Sequence, residues 1–182
     1  MPTLTVFRGL PASGKSTIAE LIAKALGIHL IDVDRARLVC VGKPHPRPEE
    51  SADLRKKDGQ EMGAAYATML FMADRNLKMG RDVILTATFS RTEGKGQIEK
   101  LLADNPGTKL KIIWCNPRDI TQAEVELRLN RPDYLGATTT LSRWEELRTA
   151  YQAIDLPMLD LNTAPPHTVD ECVKLALNYI AS

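Results

Sequence analysis

Gly9-Leu10-Pro11-Ala12-Ser13-Gly14-Lys15-Ser16 matches the pattern G-x-x-x-x-G-K-[ST] at every fixed position. Its flanks have the right character. Upstream, Leu4-Thr5-Val6-Phe7 is prone to form a strand. Downstream, Ile18, Leu21, Ile22 and Ala25 recur at the spacing of one helix face, and Gly27 follows as a C-terminal cap. Strand, glycine loop and helix in this order predict a loop that binds the phosphates of a nucleoside triphosphate.

Each fixed residue has a physical reason. A polyanion wrapped by main-chain N–H groups needs the backbone close to its oxygens. Gly9 and Gly14 permit the required angles and place no Cβ in the way. The helix starting near Lys15 adds the positive end of its dipole. Lys15 supplies a point charge to the β- and γ-phosphates, and the Ser16 hydroxyl is the expected Mg²⁺ ligand. Thr17 is placed to meet the α-phosphate. The expected ATP phosphate-binding set is therefore Gly9, Leu10, Pro11, Ala12, Ser13, Gly14, Lys15, Ser16 and Thr17. The competing reading is a strand–helix turn with a chance lysine.

The 182 residues suffice for one well-buried domain and are short for two. Charged and apolar fractions are ordinary for a globular protein, and no apolar run reaches membrane-spanning length. Met1-Pro2-Thr3 leads straight into the first strand, so no signal peptide is expected. Cys40, Cys115 and Cys172 are odd in number, scattered and without metal-ligand spacing. They read as reduced thiols in a cytoplasmic protein. A formal charge of +1 excludes a strongly basic nucleic-acid binder, so any such role must rest on a local patch.

Strand and helix signals alternate along the chain, which predicts an α/β fold with a mostly parallel sheet of five strands and helices on both faces. Further strands are expected at His29–Val33, Asp82–Ala87, Leu110–Cys115 and Met158–Leu161. Helices are expected from Ser51 or Leu54 to Met79, and near Glu93–Asp104, Thr121–Leu129, Thr140–Ala153 and Thr168–Ile180. In the long helix, Met62, Tyr66, Met69, Leu70, Ala73 and Leu77 make a core-facing stripe. Thr168 is the expected N-cap of the last helix, with Glu171 completing a capping box. The loop from Gly42 to Glu50 holds three prolines and is expected to be extended. In an open α/β sheet the ligand lies beyond the carboxyl ends of the strands. That gathers Gly9–Thr17, Asp32–Arg37 and Thr86–Arg91, including Thr88 on the acceptor side, around one cleft.

Asp32-Val33-Asp34-Arg35-Ala36-Arg37 leaves the second strand beside that cleft. A carboxylate there can take the proton of an attacking hydroxyl. An arginine three residues on can grip an acceptor phosphate. The alternative is a plain helix start, with Asp34 as cap and Arg37 as a solvated charge.

The phosphate loop followed by D-x-x-R at Asp34–Arg37 resembles the kinase domain of phage-type polynucleotide 5′-kinases. Those belong to a wider group of small P-loop kinases that includes zeta-toxin-like, chloramphenicol-phosphotransferase-like and gluconate-kinase-like enzymes. The resemblance implies one P-loop NTPase three-layer sandwich over residues 1–182, with a helical lid at about 118–140. It implies ATP and Mg²⁺ as cofactors and a hydroxyl as acceptor, foremost the 5′ end of a polynucleotide. Asp34 would activate that hydroxyl, and Arg37 would contact an acceptor 3′-phosphate. Arg131, and after it Arg128, would reach the β- and γ-phosphates from the lid. Arg118, Asn162 and Thr163 would lie near the nucleobase. The lid also has a physical case of its own, since transferring phosphoryl oxygens carry charge that Lys15 and Mg²⁺ do not cover. Against it, Arg128 and Arg131 read equally as the exposed side of a helix ending before Pro132.

Two departures from the family stand out. Val83-Ile84-Leu85-Thr86-Ala87-Thr88 offers no carboxylate at the end of the third strand, so anchoring of Mg²⁺ falls to Asp32, or to water held by Thr86 or Thr88. No D-x-D-G-T motif is present, so no 3′-phosphatase is expected.

Between Arg35 and Lys57, seven basic residues (Arg35, Arg37, Lys43, Arg47, Arg55, Lys56, Lys57) face three acidic ones (Glu49, Glu50, Asp53). This local excess suits a phosphodiester strand, although stacking aromatics are scarce there. Three function classes stay open: a polynucleotide 5′-hydroxyl kinase, a small-molecule kinase acting on a sugar, antibiotic or nucleotide-sugar hydroxyl, and a non-kinase P-loop ATPase module. The sequence leaves the oligomeric state undetermined.

Overall fold

A computed structural model describes residues 1–42, 52–90, 92–131 and 139–182, with the side chains of 52–56 and 92 outside the description. The proline loop, Arg91, the stretch after Arg131 and most of the expected basic excess therefore lie outside the described residues.

The elements run β1 (Thr3–Arg8), α1 (Lys15–Leu26), β2 (His29–Asp32), α2 (Val33–Val41), α3 (Ala52–Lys78), β3 (Val83–Ala87), α4 (Thr92–Ala103), β4 (Lys109–Cys115), α5 (Gln122–Leu129), α6 (Leu141–Thr149), β5 (Met158–Leu161) and α7 (Val169–Ala181). The five strands form one sheet in the order β2-β3-β1-β4-β5, every pair parallel. Strands buried on both faces need continuous apolar runs, and β3 is buried at all five positions.

Two cores flank the sheet. On one face Leu4, Val6 and Leu85 meet Ala65, Met69, Ala73 and Leu77 of α3 and Ile98 and Leu101 of α4. On the other, Phe7, Ile84 and Ile113 meet Ile18 and Ile22 of α1 and Cys172 and Ala176 of α7. The three expected layers are present. A third, smaller cluster joins Val125 and Leu129 of α5 to Trp144 of α6, with Leu10 and Ala12 of the phosphate loop packed against it.

Several expectations are adjusted. The Val33–Arg37 stretch is helical, and its cap is Asp32, not Asp34: the Asp32 carboxylate accepts from the N–H groups of Asp34 and Arg35. Only Asp32 has the extended backbone a cap requires (φ −101°, ψ 130°). Helix α6 stops at Thr149 rather than Ala153, because Gln152 N–H turns to the Ser90 carbonyl at 2.9 Å. The Thr168–Glu171 capping box forms as read. Gly94, which weakens α4 on propensity, has a packing reason: a Cβ there would lie 3.0 Å from the Phe89 ring.

Candidate active site

At the carboxyl end of β1 the chain turns sharply into the phosphate loop. Gly9 adopts φ +152°, and a Cβ on it would sit 2.4 Å from the Cys115 carbonyl oxygen. Only glycine fits this passage between β1 and β4. Gly14 then caps α1 in the left-handed region, with φ +83°.

The start of α1 is unlike that of the other helices with a described cap. Helices α2, α5, α6 and α7 are each capped by a side chain, Asp32, Thr121, Thr140 and Thr168 respectively. Helix α1 has no side-chain cap and no acidic residue in its first turn. Its leading N–H groups are left for an external anion. The Lys15 side chain is buried beside them, its ammonium donating to the Leu10 carbonyl at 3.4 Å. Inside the loop, the Ser13 hydroxyl is buried with no partner among the described residues.

Next to the loop lies a three-residue knot. The Ser16 hydroxyl donates to Asp32 Oδ2 at 2.9 Å, and the Thr86 hydroxyl donates to the same oxygen. The β2–β3 register sets Asp32 beside Thr86. Thus Asp32 and Thr86 meet beside Ser16, at the end of a third strand that has no carboxylate of its own. These hard oxygens suit Mg²⁺, which takes few protein ligands and keeps its waters. Among the described residues no cluster of three His, Cys, Asp or Glu is present to hold a more demanding metal.

One groove of about 420 Å³ runs along the loop. Lys15, Ser16, Asp32 and Asp34 line it, as do Arg128, Arg131, Thr163 and His167. Burial pushes the Asp34 carboxyl above the ordinary carboxylate range, Lys15 opposes that rise, and Asp32 adds to it. Arg128 reaches across to the loop, donating to the Ala12 carbonyl at 3.2 Å and the Thr163 carbonyl at 3.1 Å. Thr163 in turn donates to the Ser13 carbonyl at 2.7 Å.

A kinase-type P-loop fold is the arrangement with this sheet order, this loop and this groove. The chain belongs to the AAA_33 family. The family's profile, described as an AAA domain, matches residues 4–154. No curated protein matches the sequence. Among solved structures, this AAA_33 domain is similar to a protein described as a kinase from Chloroflexus aurantiacus J-10-fl, at 18% identity and TM-score 0.75, covering 98% of each chain. It is similar to a gluconokinase of Sinorhizobium meliloti 1021, at 19% identity and TM-score 0.63, over 99% of this chain and 92% of the other. It is also similar to the APS kinase CysC of Mycobacterium tuberculosis in complex with AMPPNP and APS, at 21% identity and TM-score 0.62, over 100% of this chain and 98% of the other. At these identities the likeness is one of fold.

Not every candidate residue of the AAA_33 domain reaches the groove. Arg118 lines a separate cavity and pairs with Asp160. The Asn162 side chain accepts from the N–H groups of Arg118 and Ala164, so it braces the loop after β5. Arg37 is buried and meets Asp58 at 2.5 Å and Glu61 at 3.1 Å. It is neither a solvated charge nor aimed at open space. The Thr88 carbonyl accepts the Gly9 N–H at 3.4 Å, which ties β3 to the loop.

Sequence reading passed over Arg8. Its side chain is 1% exposed. Nε donates to the Tyr151 hydroxyl at 2.8 Å, and Nη2 donates to the carbonyls of Phe89 at 3.1 Å and Gln152 at 2.9 Å. These partners are 81 to 144 residues away, so no local pattern reveals them. Tyr66 belongs to the core-facing stripe of α3, yet its hydroxyl also takes the Phe89 N–H at 3.3 Å.

Proposed function

We propose that this domain is an ATP-dependent phosphotransferase that places the γ-phosphate on the hydroxyl of a small molecule. The observation that carries the proposal is the convergence of Lys15, Ser16, Asp32 and Asp34 in one groove against an uncapped helix start. The loop N–H groups and Lys15 hold the phosphates. Ser16 would hold Mg²⁺, with Asp32 supporting it through water; when bound with ATP the ion would supply charge neutralisation at the phosphates. Asp34 accepts the acceptor's proton, and a carboxylate lifted by burial is the stronger base for that task. Arg131 and Arg128 meet the remaining phosphate oxygens, and Thr163 stands toward the nucleobase.

The small-molecule acceptor is favoured over a polynucleotide end by the arginines. Arg37, the candidate for a 3′-phosphate, already faces two carboxylates. Arg35 is paired with Glu20. Two charges of the apparent basic patch are thereby matched within the fold. Two of its structural neighbours carry the names of small-molecule kinases, a gluconokinase and an APS kinase.

The test is transfer of labelled γ-phosphate from ATP to a panel of hydroxylated sugar acids, sugars, nucleosides and amino alcohols, run beside a 5′-hydroxyl oligonucleotide. Label on a panel compound and not on the oligonucleotide is the expected result. Label on the oligonucleotide alone would reverse the acceptor assignment. ATP hydrolysis indifferent to every acceptor would remove the kinase reading.

A further inference from the structure

Beyond the nucleotide groove, a second cavity of about 500 Å³ opens at the carboxyl ends of β1 and β4, under α6. Among the described residues the two cavities share no lining residue. Trp114 and Tyr151 stack inside it, ring centroids 6.0 Å apart and planes 11° from parallel. Trp144 and Arg148 line it from α6, with the guanidinium 5.6 Å from the indole centroid.

The charge of this cavity is unbalanced. Arg8 forms part of its wall, and every partner of Arg8 is neutral: a phenol, two carbonyls and the Trp114 and Tyr151 rings. Its Nη1 donates to none of the described residues. A buried guanidinium with no carboxylate is costly unless an anion completes it. Arg148 likewise has no carboxylate partner among the described residues, whereas Arg118 is matched by Asp160. Asp119 is the one acidic residue among the described lining.

We propose that this cavity is a binding site for a small organic anion, a carboxylate or phosphate monoester carried on a flat apolar body. The anionic end meets Arg8 Nη1 and Arg148. The flat body lies against the rings of Trp114, Tyr151 and Trp144, where aromatic and cation–π contacts add to burial. Leu10 lines the cavity, Arg8 precedes Gly9, and the Trp144 indole N–H donates to the Pro11 carbonyl at 3.0 Å. An occupant therefore touches the residues that brace the phosphate loop without entering the nucleotide groove. Binding here needs no phosphoryl transfer, so it stands or falls separately from the kinase reading.

Trp114 and Trp144 are the chain's two tryptophans, and both line this cavity. Intrinsic fluorescence of the full chain therefore reports on it directly. Benzoate and phenyl phosphate are titrated with Mg·ADP at saturation, and neutral benzamide serves as control. Saturable quenching by the anions, at least tenfold weaker for benzamide, is expected. Arg148→Gln, a change at an exposed position, should weaken the anions about tenfold and leave ADP binding unchanged. Arg8→Lys keeps the charge but removes the fork, and should weaken the anions further in folded protein of native circular dichroism. Equal quenching by benzamide and benzoate overturns the proposal. So does anion binding indifferent to Arg148→Gln, or no saturable response up to about 10 mM anion.

Discussion

The Ser16 hydroxyl donates to the Asp32 carboxylate at 2.9 Å, while the same carboxylate caps α2 through the Asp34 and Arg35 N–H groups. One side chain thus links the proposed magnesium ligand to the helix that carries the proposed base. Asp32→Asn keeps an oxygen for the cap but loses the charge that would order metal-bound water. The half-saturating Mg²⁺ concentration for ATP turnover should rise about 10- to 100-fold, with a near-native melting temperature. A Mg²⁺ titration of activity measures it, and an unchanged midpoint would remove Asp32 from the metal site.

Asp34 gives a pH signature. Burial raises its folded-state pKa, so the ionised base is lost as pH falls through a value above the ordinary 3.9 or so. The rising limb of kcat/KM against pH should lie above that value, and Asp34→Asn should abolish the limb with a loss of about 10²–10⁴-fold. The sign for stability is the reverse of a salt-bridged carboxylate. The folded state holds the proton more tightly than the unfolded chain, so this group's contribution declines as pH rises between the two pKa values. Asp34→Asn should therefore melt at the same temperature as the parent protein or higher at pH 7. A lower melting temperature would mark the carboxylate as structural.

Arg37 is buried against Asp58 and Glu61. Arg37→Met leaves two partly buried carboxylates facing each other. About 2 kcal/mol of stability should be lost, less than for a fully buried pair because Asp58 keeps some water. Urea unfolding reads the loss. An unaltered midpoint with a raised acceptor KM would instead return Arg37 to the acceptor site.

Gly9→Ala should be more severe than its size suggests. The new methyl would lie 2.4 Å from a backbone carbonyl, which cannot swing aside as a side chain can. ATP binding measured by calorimetry should vanish while circular dichroism keeps the α/β signature. Retained affinity would mean that the loop can be rebuilt around β4.

Arg128 holds two carbonyls, one from the phosphate loop and one from the loop after β5. Arg128→Met removes both bonds and should weaken ATP about tenfold or more. The check is the ADP affinity of the same variant: a loss confined to ATP points to γ-phosphate contact, and an equal loss points to loop bracing.

Features that depend on neighbours along the chain are legible in the sequence. Gly9 to Ser16 fixed the loop because glycine spacing, lysine and hydroxyl are all local requirements. The Thr168–Glu171 box and the β5 strand likewise depend on neighbours in sequence. The capping choice between Asp32 and Asp34 was not legible, since both are carboxylates and only backbone angles separate them. Arg118, expected near the nucleobase, and Arg128, expected at the phosphates, look alike in sequence, yet one turns to Asp160 and the other to the loop. Arg8, beside the best motif in the chain, gave no signal because its partners come from distant loops. Strand order also escapes local sequence, being set by how crossovers pack.

Helices α5 and α6 rest on the phosphate loop through Arg128 on the Ala12 carbonyl and Trp144 on the Pro11 carbonyl. Two consecutive peptide oxygens are thus gripped from above. A nucleotide that drew Arg128 to its own oxygens would unfasten one of these grips and leave the other. The helical pair would then stay anchored to the loop through the Trp144 indole and the packing of Leu10 and Ala12.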